Sequence, residues 1–255
     1  MRASVRATVA PLLSEGRPSA TQISQLLRGH HADVLDRAGD WLRLHGVDKY
    51  DGWCHAGYLN LTAATDAEPL RSAWESDLRM STGCTVRQSS GAQILLPLGA
   101  LLDPDEVVLA GLAINGSGRA RYFARDAQLL VRRALDTFAG APYQWGGVTP
   151  WGADCSGLVQ TIFALHGLQL PRDAWQQAEC GTDVTQEVLE FRPADLLFFS
   201  DRDDKRVTHV GVSMGGSNVA HCALANGGFA INVLNADDPV SVQLRETFLF
   251  ARRLL

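Results

Sequence analysis

The sequence predicts an α+β chain: two small β-barrels in its first half, followed by a domain in which helices pack on an antiparallel sheet. Three observations predict this. The first 125 residues contain short segments separated by Gly and Asp turns, from Arg125 apolar residues recur on one helical face, and after the helices short β-branched and aromatic segments return. At 255 residues the chain is longer than one ordinary domain, for which roughly 100 to 150 residues is typical. The expected divisions are 1–60, 61–124 and 125–255.

In the first division, Ala32 to Leu35, Trp41 to Leu44 and Gly52 to His55 read as strands. The stretch GDWLRLHGVDKYDGWCHAGYL, residues 39–59, resembles the end of a bacterial Src-homology-3-like barrel. In the second, Cys84 to Arg87, Ile94 to Leu96 and Val107 to Leu112 suggest a barrel of the same kind, without a clear sequence repeat. Beyond Arg125, Ala127, Leu130, Val131, Ala134, Leu135 and Phe138 form one apolar helical stripe, which Gly140 and Pro142 end. A second helix is expected from Cys155 to about His166. Asp154 is its N-cap, Gly167 its C-terminal glycine, and Leu158, Val159, Ile162 and Phe163 face the core. Five strands follow: Leu196 to Phe199, His209 to Met214, Val219 to Ala223, Phe229 to Val233 and Phe248 to Ala251.

Composition narrows the function. The chain is 46% hydrophobic and 20% charged with a formal net charge of −5, so it can build a core. It has no block of basic residues, and a nucleic-acid partner is not expected. No run reaches the roughly 18 apolar residues of a membrane span. The opening MRASVRATVAPLLSEG lacks the apolar core of a secretory signal, so no membrane association and a cytoplasmic location are the expectations. Five cysteines, none in a C-x-x-C pair, argue for reduced thiols. The His and Cys spacings match no compact zinc pattern, so neither metal nor cofactor is expected.

The chemistry concentrates at Asp154-Cys155-Ser156-Gly157, which places a thiol where a helix begins. Free N–H groups and the positive end of the helix dipole favour a thiolate there. An imidazole is also needed, to raise the anion fraction and to protonate a leaving amine. His209 is the candidate. His221, on the next strand, is placed to orient it as the third member of a triad. Taken singly, each has a plainer reading, the thiol as a small buried hydrophobe and the histidines as surface or core residues.

Six segments in order, PYQWGG (142–147), ADCSGL (153–158), LPRDAWQQ (170–177), PADLLFF (193–199), THVGVSMG (208–215) and VAHC (219–222), resemble the NlpC-type family of papain-like cysteine peptidases over residues 125–255. The resemblance implies a circularly permuted papain-like fold with Cys155 capping a helix on the sheet that bears His209 and His221. It implies cleavage between γ-D-glutamate and a diamino acid such as meso-diaminopimelate in peptidoglycan stem peptides. It also places Tyr143 beside the nucleophile, the backbone N–H of Cys155 in an oxyanion hole, and Trp145, Asp154 and Ser156 along the substrate.

Relatives with two preceding barrels resemble the whole chain, and in them the first barrel closes one end of the cleft. Their substrate is a murein tripeptide or tetrapeptide with a free N-terminal L-alanine, used in wall recycling. By motif position Asp173, Glu15 and Tyr50 are the matches for the groups that hold its ammonium. The chain departs from the pattern at Ala174, where serine is common, at Ala194, where glycine is usual, and at Thr208, where serine is common. The alternatives are a hydrolase of intact cell wall with wall-binding barrels, an inert wall-peptide binding protein, and an acyltransferase or amidase on the same scaffold.

Overall fold

Alternation of buried and exposed residues organises the first seven strands of the computed structural model, which describes residues 1–63, 69–184 and 191–255. These are β1 (Arg2–Val5), β2 (Val9–Leu13), β3 (Gln22–Leu27), β4 (His31–Ala38), β5 (Trp41–His45), β6 (Asp51–His55) and β7 (Leu59–Thr62). They form one sheet in the order β3-β2-β6-β5-β4-β1-β7, with every neighbouring pair antiparallel. Strands β5 and β6 show why the register holds. Leu42 and Leu44 point inward together with Cys54, while Trp41, Arg43 and His45 face the other way. A one-residue slip would exchange these two sets. Six of the seven strands supply residues to a single core that includes Val5, Leu12, Ala32, Leu44, Cys54 and Leu59, so the sheet curls around it.

Of the strands expected from residue 84 onward, those at Cys84–Arg87 and Ile94–Leu96 form, the third ends at Ala110 rather than Leu112, and the two-residue strands at Met80–Ser81 and Ala113–Ile114 were not expected. The strands of this region are β8 (Met80–Ser81), β9 (Cys84–Arg87), β10 (Gln93–Leu96), β11 (Val107–Ala110) and β12 (Ala113–Ile114). They make two small sheets, β10-β9-β11 and β12-β8. Arg28 ties this region to the first sheet, donating to Asp103 at 2.5 Å, to the buried Glu106 at 2.9 Å and to the carbonyl of Arg6 at 2.8 Å. Helix α1 (Gly116–Tyr122) follows, in a stretch that carries no apolar stripe. Its anchor is polar. Arg119 is 1% exposed, and its guanidinium caps the carbonyls of Ala73 and Trp74 at 2.7 and 2.9 Å as well as that of Leu78. The chain divides between Tyr122 and Phe123 into two compact units.

In the second unit, α2 (Ala127–Phe138) begins on Asp126, whose carboxylate accepts the Leu129 N–H at 2.7 Å, and buries Leu130, Val131, Ala134 and Phe138 as its periodicity requires. A short hairpin, β13 (Val148–Thr149) and β14 (Gly152–Ala153), leads into α3 (Cys155–Leu165), then α4 (Ala174–Gln177) and β15 (Thr182–Val184). After β16 (Leu196–Phe199), β17 (His209–Gly215), β18 (Asn218–Ala223) and β19 (Gly228–Val233) come α5 (Pro239–Thr247) and β20 (Phe248–Arg253). The six-stranded sheet runs β15-β20-β16-β17-β18-β19 and is antiparallel throughout. Helix α3 packs on β17 and β18, while the opposite face buries Phe199, Val219 and Leu234 against Leu244 and Val240 of α5. Val212 pairs with Ala220 and Ser213 with Val219, so by alternation His209 and His221 belong to the face that α5 covers.

One departure noted in the sequence has a backbone cause. The turn Arg192 to Asp195 is closed by the Asp195 N–H donating to the Arg192 carbonyl at 3.1 Å, with Pro193 second and Ala194 third at φ 68°. That third position of a type II turn calls for glycine. Asp195 accounts for the turn's persistence: it is fully buried and accepts both nitrogens of the Arg253 fork at 2.7 Å and the Arg192 N–H at 2.9 Å. Relief of left-handed strain, roughly 1–2 kcal/mol, exceeds the added freedom of an unfolded glycine, roughly 0.4–1 kcal/mol. Ala194→Gly is therefore expected to stabilise the protein by about 0.5–1 kcal/mol. A raised urea midpoint at unchanged slope checks this, and a lowered midpoint contradicts it.

Candidate active site

Cys155 is the first residue of α3, and the residues around it explain why the helix starts there. Asp154 is extended (φ −100°, ψ 179°) and its Oδ1 accepts the Gly157 N–H at 2.7 Å, satisfying one of the free donors of the first turn. Its Oδ2 accepts the Gly146 N–H at 2.8 Å, which draws the Trp-Gly-Gly loop onto the helix tip. That approach is close enough to demand glycine: a Cβ on residue 157 would stand 2.1 Å from the Gly147 carbonyl oxygen.

Beneath the tip lies Arg172, 1% exposed. It donates to both carboxylate oxygens of Asp154, at 3.0 and 2.7 Å, and to the Ser156 hydroxyl at 2.8 Å. Asp154 and Ser156, expected along the substrate, have side chains that turn inward here. Both are buried and committed to Arg172, and their work is to hold the nucleophile's turn. The sequence reading assigned Arg172 no role, although a cation inside the LPRDAWQQ motif was a visible signal. Breaking a buried pair of this kind by removing one partner typically costs about 3–5 kcal/mol.

The backbone N–H groups of Val210 and Ser156 point at the Cys155 sulfur and lower its pKa, which sets the thiol against the start of β17, one residue from His209. Burial outweighs them. Desolvation first, and then the Asp154 carboxylate, push the thiol up to about 11, although the cysteine keeps part of its surface open. Desolvation likewise pushes His209 down to about 3, with the neighbouring His221 adding to the effect. Burial thus outweighs the pull of the helix start on the thiol proton, and an imidazole partner is needed, as the sequence suggests. A single charge is disfavoured in this pocket, so both groups are uncharged at rest.

A hydrogen-bond chain fixes which nitrogen takes that proton. His209 Nε2 lies 2.8 Å from His221 Nδ1, and His221 Nε2 lies 2.9 Å from Asn232 Oδ1. Asn232 in turn donates its Nδ2 to Asp238 at 3.4 Å, and Asn226 donates to Asn232 Oδ1 at 3.0 Å. Asp238, the N-cap of α5, has its pKa lowered by the Ser241 hydroxyl and the cap N–H groups, and as a carboxylate it only accepts. Asn232 must therefore turn its oxygen to His221. Asn226 Nδ2 also lies 3.1 Å from His221 Nε2; the shorter 2.9 Å contact to the Asn232 oxygen is made when His221 carries its hydrogen on Nε2 and accepts at Nδ1 from the Nε2 hydrogen of His209. Nδ1 of His209 is the basic atom left for a thiol proton. Asn226 and Asn232 were missed by sequence reasoning, because neither spacing nor residue type distinguishes them from turn asparagines.

Tyr143 lies in the same electrostatic neighbourhood. Burial, then Cys155 and Asp154, push its hydroxyl up to about 12, so it remains a donor at neutral pH. Trp145 is 63% exposed. Asp173 starts α4 and forms a capping box with Gln176. Glu15 and Tyr50 belong to the first unit. Glu15 is exposed and paired with Arg17 at 2.9 Å, and the Tyr50 N–H donates to Asp48 at 3.2 Å.

Desolvation lowers the pKa of His30, His166, His209 and His221 in the fold. In the unfolded chain they titrate near about 6.5. Below that value the unfolded state binds more protons than the folded one, so stability rises with pH. The histidine contribution is full above about pH 6.5 and declines as pH falls, for His209 down to about 3. Thermal midpoints are accordingly expected to be lower at pH 5 than at pH 7.5; a higher midpoint at pH 5 contradicts the assignment of neutral buried rings.

Comparison with known proteins agrees with this geometry. The NlpC/P60 family profile matches residues 140–242. The γ-D-glutamyl-L-lysine dipeptidyl-peptidase of Bacillus cereus (strain ATCC 10987 / NRS 248) is 28% identical over 91% of this chain and 75% of its own length. The protein of the same description from Bacillus subtilis (strain 168) is 41% identical over 33% of this chain and 28% of its own. The crystal structure of an NlpC/P60 family protein from Bacillus cereus ATCC 10987 superposes over 99% of both chains with a TM-score of 0.76 at 22% identity, a likeness of fold. Cys155, His209 and His221 all lie inside the matched stretch, so residues 140–242 carry an NlpC/P60 family domain and the protein is a peptidase.

Proposed function

We propose that the protein is a γ-D-glutamyl–diamino acid endopeptidase that cuts the bond between γ-D-glutamate and a diamino acid, diaminopimelate or its like, in murein tripeptides or tetrapeptides with a free N-terminal L-alanine. The observation that carries the reading is the thiol at the tip of α3, held against the Val210 N–H, with the hydrogen-bonded His209–His221–Asn232 chain beginning one residue away. In the first step the Cys155 thiol gives its proton to His209 Nδ1 while sulfur bonds to the γ-carbonyl carbon. The backbone N–H of Cys155 and the Tyr143 hydroxyl face the developing oxyanion. His209 then protonates the leaving nitrogen, the C–N bond breaks, and a thioester remains. Water, losing a proton to His209, attacks the thioester carbonyl, and the thiol departs with that proton.

The substrate class is supported by the names borne by the two Bacillus relatives. The motif positions of Asp173, Glu15 and Tyr50 support binding of the substrate ammonium, with Trp145 beside the peptide. The circular permutation, the Src-homology-3-like character of the two N-terminal regions, closure of the cleft by the first of them, the cytoplasmic location and the recycling role belong to the same proposal. Purified protein is expected to release L-Ala-γ-D-Glu from L-Ala-γ-D-Glu-diaminopimelate. Cys155→Ala should reduce turnover by at least about 10³-fold with an unchanged circular dichroism spectrum. Equal rates for the two proteins contradict the reading, and release of fragments from intact sacculi in preference to free peptide favours a wall hydrolase.

A further inference from the structure

An imidazole that protonates a leaving amine must have the residue bearing that amine beside it. On the α5 side of the sheet, His209 and His221 wall a cavity of about 240 Å³. Its apolar lining comes from Phe199 at the end of β16 and from Val240 and Leu244 of α5, members of the core cluster or packed against it. Polar groups lie at Thr208, Gln243 and Asp201. Asp201 is exposed, and its Oδ1 accepts the Thr208 hydroxyl at 3.0 Å, which aligns the carboxylate with the residue preceding His209.

The charges of this wall are one-sided. Among the described residues no lysine or arginine lines the cavity. Arg202, the next residue after Asp201, is committed to Asp204 through two bonds of 2.8 and 2.7 Å. Both histidines are held neutral by burial. Asp201 is thus the charged group of an otherwise apolar and neutral pocket. A side chain with an aliphatic stem and a cationic end is complementary to it: the stem covers Val240 and Leu244 and the cation meets the carboxylate.

We infer that this cavity takes the side chain of the residue on the leaving side of the scissile bond, and that Asp201 selects a cationic terminus on it. The inference rests on the reading above and deepens it, since it assigns the diamino acid a binding site whose charged group, Asp201, lies outside the sequence motifs. Asp201→Asn keeps the acceptor for Thr208 and removes the charge, so it isolates the electrostatic term.

The test compares kcat/KM of the full chain, wild type and Asp201→Asn, on L-Ala-γ-D-Glu-L-Lys and on the same peptide with norleucine for lysine. The wild type is expected to prefer lysine, and the lysine-to-norleucine ratio should fall about fivefold in the variant, as expected for loss of an exposed ion pair. The fall should be carried by KM. Cleavage of both peptides by the wild type with the same ratio in both proteins overturns the inference and leaves the endopeptidase reading standing. Cleavage of neither by the wild type overturns the endopeptidase reading, and the inference with it.

Discussion

The site depends on one carboxylate. Asp154 is shared among the N–H of Gly157 in the helix, the N–H of Gly146 in the preceding loop and the guanidinium of Arg172. Each contact fixes a different segment: the first turn of α3, the loop that follows Tyr143, and the stretch that leads into α4. Removing Arg172 would leave a buried anion, and removing Asp154 would leave a buried cation. Cys155 is therefore positioned by a buried ion pair beneath it, while its thiol stays partly open at the helix tip.

The second constraint runs along the sheet. His209 and His221 sit on neighbouring strands, so strand pairing brings their rings within 2.8 Å. Asn232 on β19 and the Asp238 cap of α5 extend the chain outward. Its effect is orientational: an acceptor-only carboxylate at the far end settles the amide, the amide settles one ring, and that ring settles the next. Nδ1 of His209 is left as the base. Burial keeps both side chains uncharged at rest, which suits the proposed transfer of a proton within the pair. α5 serves twice here, since its N-cap ends the relay and its apolar face forms one side of the cavity beside His209.

Much of this could be read from the sequence, and the rest could not, for identifiable reasons. Asp154 as an N-cap, α2 from its apolar stripe and the strands bearing His209 and His221 were legible because capping and periodicity are local. Helix α1 was not, because Arg119 holds it through three distant carbonyls and its own sequence carries no stripe. Helix α5 had a signal in Asp238-Pro239, but only Val240 and Leu244 face the core, too few to show a period. The buried state of Asp154 and Ser156 depends on Arg172, 16 to 18 residues away, and the Asn232 relay on strand register. Such pairings are set by tertiary contact.

Bonding of the Cys155 sulfur to the substrate carbonyl can be caught by rapid acid quenching during turnover, followed by peptide mapping by mass spectrometry. The expected result is a thioester-linked L-Ala-γ-D-Glu group on the peptide that contains Cys155. Turnover with no acyl group on any cysteine, or with one on Cys180 or another thiol instead, contradicts it.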